Sequence, residues 1–143
     1  MKDPFIKNVS EGDFSAAREL VSRFSQEEIE EYLLELAYDS GSILPYSFVC
    51  TLLAERETTE MHYSASLLMS QPLCHIQDGY KAALYHARNA VRLSPDDLSL
   101  KMYLLFFNHI PEKLISDQEA LEIASEILKA DPQNELAREQ FQR

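Results

Sequence analysis

Glycine is almost missing: Gly12, Gly41 and Gly79 are the only three in 143 residues. So few flexible joints, together with no run of alternating β-branched residues, argue against the turn-rich sheets of sandwiches and barrels and leave helices joined by short links. Cysteine is scarce as well. Cys50 and Cys74 belong to no CxxC pair, so a disulfide scaffold is excluded and both read as free thiols of a reducing compartment. Basic residues are few, 13 Lys and Arg against 24 Asp and Glu, for a net charge of −11. Nucleic acid and anionic membrane both require a basic patch and are poor partners for such a surface, whereas a basic protein suits it. The N-terminus, Met-Lys-Asp-Pro, lacks the apolar segment of a secretory signal, which points to the cytoplasm.

Reaction chemistry is equally hard to find. There is no Gly-rich phosphate loop, no GxSxG elbow and no HExxH. Cys74 and His75 are adjacent and cannot readily both bind one zinc, while His62, His86 and His109 have no paired-ligand spacing. They read as ordinary surface or half-buried side chains. No metal, cofactor or small-molecule substrate is expected, and an enzyme built on Cys74 and a nearby histidine is kept only as a formal alternative.

What the chain has is apolar material for a core, 45% of its residues, with seven Phe and seven Tyr. A chain of this length buries roughly two thirds of its unfolded surface, so residues 1–143 are expected to form a single domain. The charge is uneven. Five cations face twelve carboxylates over residues 1–57 (net −7), three face two over 58–95 (+1), and five face ten over 96–143 (−5).

Helix boundaries follow from capping signals. Residues 1–12 read as a lead-in or a frayed turn. Asp13 can cap a helix with the stripe Phe14, Ala17, Val21 and Phe24. Ser25 and Glu28 form a capping box for a helix burying Ile29, Tyr32, Leu33, Leu36 and Ala37, closed by Gly41. Pro45 suits the first turn of a helix to about Arg56, with Phe48, Leu52 and Leu53 inward. Thr58 or Thr59 can cap the next, to about Gln71, with Met61, Ala65, Leu68 and Met69 on one side, and Pro72 ends it. A helix over Asp78–Leu93 follows. Ser94 and Pro95 are then expected to start Leu98–His109, whose run Met102–Phe107 is apolar on every face and predicts the most buried helix. That run is far short of the ~20 apolar residues of a membrane span. Ser116 and Glu119 supply another capping box, and Asp131-Pro132 opens a last helix over Gln133–Gln142. The expectation is an all-α fold of stacked antiparallel helical hairpins, about eight helices, with no strand.

A repeat is visible in the second half. "DGYKAALYHARNAVRLSPDD" and "DQEALEIASEILKADPQN" carry matching positions: Ala83, Leu84, Ala87 and Ala90 before Pro95, then Ala120, Leu121, Ala124 and Ile127 before Pro132. The small, aliphatic, small, proline figure resembles the second helix of the tetratricopeptide repeat over residues 78–143, with residues 1–77 as divergent helices. The two prolines are 37 positions apart, against a repeat of about 34, and the loop "PEKLI" can hold the difference. The resemblance implies an α-solenoid in which the first helix of each pair lines a concave groove, here with Ser99, Met102, Phe106 and His109 facing it.

The other candidate surface is the acidic helix. Glu27, Glu28, Glu30, Glu31 and Glu35 read plainly as a solvated face with first-turn acids favoured by the helix dipole. Read functionally, Glu27, Glu31, Leu34, Glu35 and Tyr38 make a strip of carboxylates and apolar side chains suited to a basic, partly apolar protein. The expected function is a non-catalytic interaction module, most concretely an acidic inhibitor or immunity protein neutralising a basic toxin such as a nuclease. The alternative is a general adaptor that grips a peptide segment.

Overall fold

A computed structural model describes residues 2–143. Within them the chain is all-helical, with no strand: α1 (Lys2–Ser10), α2 (Phe14–Leu20) and a 3-10 turn (Val21–Arg23), α3 (Gln26–Ser40), α4 (Leu44–Glu55), α5 (Thr59–Ser70), α6 (Gly79–Leu93), α7 (Leu98–His109), α8 (Asp117–Ala130) and α9 (Glu135–Gln140). From α3 onward each helix packs against the next, α1 packs against α2, α3 and α4, and α3 also lies along α5 across the intervening α4, so the chain forms stacked helical hairpins.

Local signals set most boundaries. Asp13 accepts from the Ala16 amide, Ser25 and Glu28 complete a reciprocal capping box, and Thr58 accepts from the Met61 amide. Gly41 ends α3 in the left-handed region at φ 70°. Gly79 is required for a different reason. A Cβ there would sit 3.0 Å from the Leu73 carbonyl oxygen and 3.1 Å from that of Cys74, where the Pro72–Asp78 loop folds back on α6.

Five expectations are corrected. Residues 1–12 are not a loose lead-in: α1 buries Phe5 and Val9 completely, and the Phe5 ring lies 5.4 Å from Phe24, 6.5 Å from Tyr32 and 5.7 Å from Phe48. Helix α7 starts at Asp97 and not at Ser94, because the Asp97 carboxylate accepts from the amides of both Ser99 and Leu100 and leaves Pro95 in the preceding turn. Asn134 opens the last helix, which is shorter than expected. The Ser116 cap forms, but its box does not close: Glu119 reaches Arg88 on α6 instead, with two hydrogen bonds of 2.6 and 3.0 Å.

The fifth correction concerns the most buried helix, which is α5. Nine of its twelve residues are buried, against five of twelve in α7, where Phe106 is 39% exposed. Small side chains at Ser64, Ala65, Ser66 and Ser70 leave room for α3, α4, α6 and α7 to close around α5, at the cost of burying its hydroxyls. Each is satisfied. Ser66 donates to the Ala83 carbonyl at 2.7 Å, and the Tyr103 hydroxyl on α7 bridges Ser66 and Ser70 at 2.8 and 2.9 Å. A second buried polar group, Asn108 and Gln140, ties α7 to α9, with Gln140 donating to Asn108 at 3.0 Å.

Leu68→Ala in α5 should therefore destabilise the protein by about 2–5 kcal/mol, while Phe106→Ala in α7 should cost well under half as much. Urea unfolding midpoints of the two variants check the order.

Candidate protein-binding groove

Three helix N-termini come together on one side of the stack. Two adjoining depressions of about 230 and 260 Å³ cross them, the first lined by Gln26, Glu27, Glu30, Glu60, Tyr63 and Ser64 and the second by Thr59, Glu60, Tyr63, Asp97, Ser99 and Leu100. They share Glu60 and Tyr63, forming one trough from the start of α3 across α5 to the start of α7. It has four carboxylates and no lysine, arginine or histidine.

The helix ends explain how the fold holds these acids together. Glu27 and Glu60 lie in the first turns of α3 and α5, and Asp97 caps α7, so each sits at the positive end of a helix dipole. Glu30 is placed less favourably. It is half-buried, and its carboxyl is held above the usual carboxylate range by burial, with the Glu27 charge adding to the effect and a 3.2 Å hydrogen bond from Ser64 opposing it. Tyr63 forms the floor between Glu30 and Asp97. Burial and these two charges push its phenol upward, and its ring stands edge-on to Tyr103 at 5.4 Å.

Several carboxylates elsewhere are paired with cations. Glu35 meets Lys2 at 3.3 Å, Glu126 meets Lys101 at 3.4 Å, Asp117 meets Lys113 at 3.1 Å, and Arg18, Arg92 and Arg88 hold Glu55, Glu57 and Glu119. Among the described residues, Glu27, Glu30, Glu60 and Asp97 make no such pair. The structure brings Glu27 and Ser99, read from sequence as parts of separate surfaces, into this one trough. It does not bring in the others. Glu31 is exposed outside the lining, Glu35 is tied to Lys2, Leu34 packs against the core, and Tyr38, 60% exposed, donates to Gln71 at 3.2 Å. Met102 is half-buried, and its sulfur accepts from Asn134 at 3.3 Å. Phe106 lies against Tyr80 at 6.0 Å, and His109 bonds Gln140 at 2.8 Å.

Sequence reading missed a second cluster altogether. His62 and His86 are not surface or half-buried side chains. They are 3% and 4% exposed, with their Nδ1 atoms 3.0 Å apart, beside a cavity of about 350 Å³ that Tyr46, Cys50 and Glu57 also line. The two histidines sit on α5 and α6 without any motif spacing, so only the packing of those helices pairs them. Among the described residues no three His, Cys, Asp or Glu side chains converge closely enough to hold a metal ion. Both cysteines are free thiols, and burial pushes Cys50 upward, against the Tyr46 hydrogen bond that stabilises its thiolate.

Comparison with known families, curated proteins and solved structures finds no match. No described helix is long and apolar enough to cross a membrane.

Glu30 yields a signed prediction. A carboxyl with a raised folded pKa binds its proton more tightly in the native state, so its contribution favours folding below the unfolded value near 4.5 and is lost as pH rises through the folded value. Glu30→Gln keeps the Ser64 acceptor and removes the charge. Its melting temperature should exceed that of the parent protein at pH 7 and converge with it near pH 4.

Proposed function

We propose that the protein is a non-catalytic interaction module whose acidic trough receives a basic segment of another protein. The observation that carries this is the trough lined by Glu27, Glu30, Glu60 and Asp97 with no cation among its walls. Clustered carboxylates raise each other's energy, and a half-buried one such as Glu30 adds a solvation penalty. Lysine or arginine from a partner would relieve both, with Tyr63 offering a flat surface for the stem or guanidinium plane. In the tetratricopeptide repeat, which residues 78–143 resemble, the first helices of successive pairs line the binding groove, and on that resemblance α7, which brings Asp97 and Ser99 to the trough, would be such a helix.

The most concrete form of the proposal is an acidic inhibitor or immunity protein, acting in the cytoplasm, that covers the basic cleft of a toxin such as a nuclease. The net charge of −11 supports that form over a general peptide adaptor, because a single-sign field steers a basic partner and speeds encounter. Nucleic acid and anionic membrane would be repelled by the same field.

The test is titration with a lysine- and arginine-rich peptide by calorimetry at several salt concentrations. Binding should weaken linearly in log–log form as salt rises, and Glu27→Gln/Glu30→Gln/Glu60→Gln should weaken it at least ~10-fold, about 1.4 kcal/mol. Glu139→Gln on α9, outside the trough, should leave it unchanged. Equal binding by the triple variant would rule out the trough.

A further inference from the structure

The buried histidines belong to a hydrogen-bonded chain that crosses three helices. From the α4–α5 loop, the Glu57 carboxylate meets His62 Nε2 at 2.7 Å; His62 Nδ1 meets His86 Nδ1 at 3.0 Å; His86 Nε2 meets the Tyr46 hydroxyl on α4 at 2.9 Å. We infer that this Glu57–His62–His86–Tyr46 chain is a proton-operated latch between α4 and the α5–α6 hairpin: one proton reverses the two hydrogen bonds of His86 with the joint intact, and a second forces the two rings apart.

With both rings neutral, only one arrangement satisfies every group. An ionised carboxylate can only accept, so His62 carries its proton on Nε2 and leaves Nδ1 bare. His86 must then donate from Nδ1, which leaves its Nε2 to accept from the Tyr46 hydroxyl. The chain therefore runs in one direction, from Tyr46 to Glu57. The groups around it are few: Arg92 on α6 holds Glu57 from the solvent side, Tyr85 on α6 stands edge-on to both rings at 6.4 and 5.0 Å, and Cys50 on α4 hydrogen-bonds Tyr46. Among the described residues, Glu57 is the one carboxylate lining the cavity beside the pair.

A first proton fits at His62, where Glu57 faces the resulting imidazolium. The new Nδ1–H of His62 then donates to His86 Nδ1. His86 keeps a single proton, now on Nε2, and donates it to the Tyr46 oxygen, while the Tyr46 hydroxyl proton turns toward Cys50. Both hydrogen bonds of His86 survive with their direction reversed, the His62 Nε2–H bond to Glu57 keeps its direction, and the net change is one proton taken up. A second proton has no such place. It would put two N–H groups face to face at 3.0 Å with no acceptor, inside packing that leaves both rings almost fully covered. Burial and the neighbouring ring accordingly hold His86 down to about 4. Stability from the neutral His86 is complete above the free imidazole value near 6.5 and is lost as pH falls toward 4. The latch stands independently of the acidic trough, with which its cavity shares no lining residue.

Long-range ¹H–¹⁵N correlation spectra of the intact protein, with ¹⁵N-labelled histidine, read the tautomers directly. At pH 8, His62 should appear as the Nε2–H form and His86 as the Nδ1–H form. On acidification His62 should gain its second N–H while His86 switches to Nε2–H. An Nε2–H form of His86 at pH 8, or two rings that titrate without any tautomer switch, would overturn the latch. Glu57→Gln preserves an acceptor for His62 but removes the charge, and should move the tautomer switch to lower pH; an unmoved switch removes His62 as the first proton's site. Hydrogen exchange separates the second step. Amides of α4 should lose protection relative to those of α8 as pH falls toward 4, and parallel loss in both helices would contradict a local opening.

Discussion

Everything in this fold leans on a central helix that is buried without being apolar. Helix α5 carries two serines between its methionines and leucines, a third serine at its end and a histidine near its start, and each of these is covered by neighbours. A buried hydroxyl or imidazole without a partner costs roughly 1–3 kcal/mol, so the surrounding helices are held to positions that supply one. Ser66 needs the Ala83 carbonyl of α6, Ser66 and Ser70 need Tyr103 of α7, and His62 needs both Glu57 and His86. Apolar packing would tolerate a small slide of one helix along another. These polar contacts do not, and among the described residues no buried side-chain nitrogen or oxygen is left without a partner.

The same helix separates two different kinds of electrostatics. On the Tyr63 side, carboxylates gather with nothing to neutralise them, a state that lowers stability and is held in place by three helix dipoles. On the His62 side, a single carboxylate is met by both an arginine and an imidazole, and both partners hold the Glu57 carboxyl below the usual range. One face is left open to a cation from outside. The other is closed by cations and donors of the protein itself.

The legibility of all this in the sequence followed the range of the interaction. Caps are decided within four residues, so Asp13, Ser25 with Glu28, Gly41 and Thr58 were readable. They failed only where a competitor lay nearby or across the fold: Asp97 displaced Ser94, and Arg88 drew Glu119 away from its box. Burial was harder. The apolar run in α7 is more hydrophobic than α5 but has fewer neighbours, and Phe5 and Val9 offered too short a stripe to mark α1 as a helix. The trough joins Glu27 to Ser99 and the latch joins His62 to His86, pairings created by helix stacking that no local pattern announces. The sequence did show the acids and the small residues of the second half; it did not show which faces they would share.

The aromatic cluster at the N-terminus carries a consequence for the order of assembly. Phe5, Phe14, Phe24, Tyr32 and Phe48 touch one another through rings drawn entirely from the first four helices and the links between them. During synthesis this unit has all its partners before α5 has emerged, and domains made from early, short-range contacts form first. Helix α5 then arrives at a surface already shaped to receive it, and the later hairpins are added to a finished base rather than searching for one another.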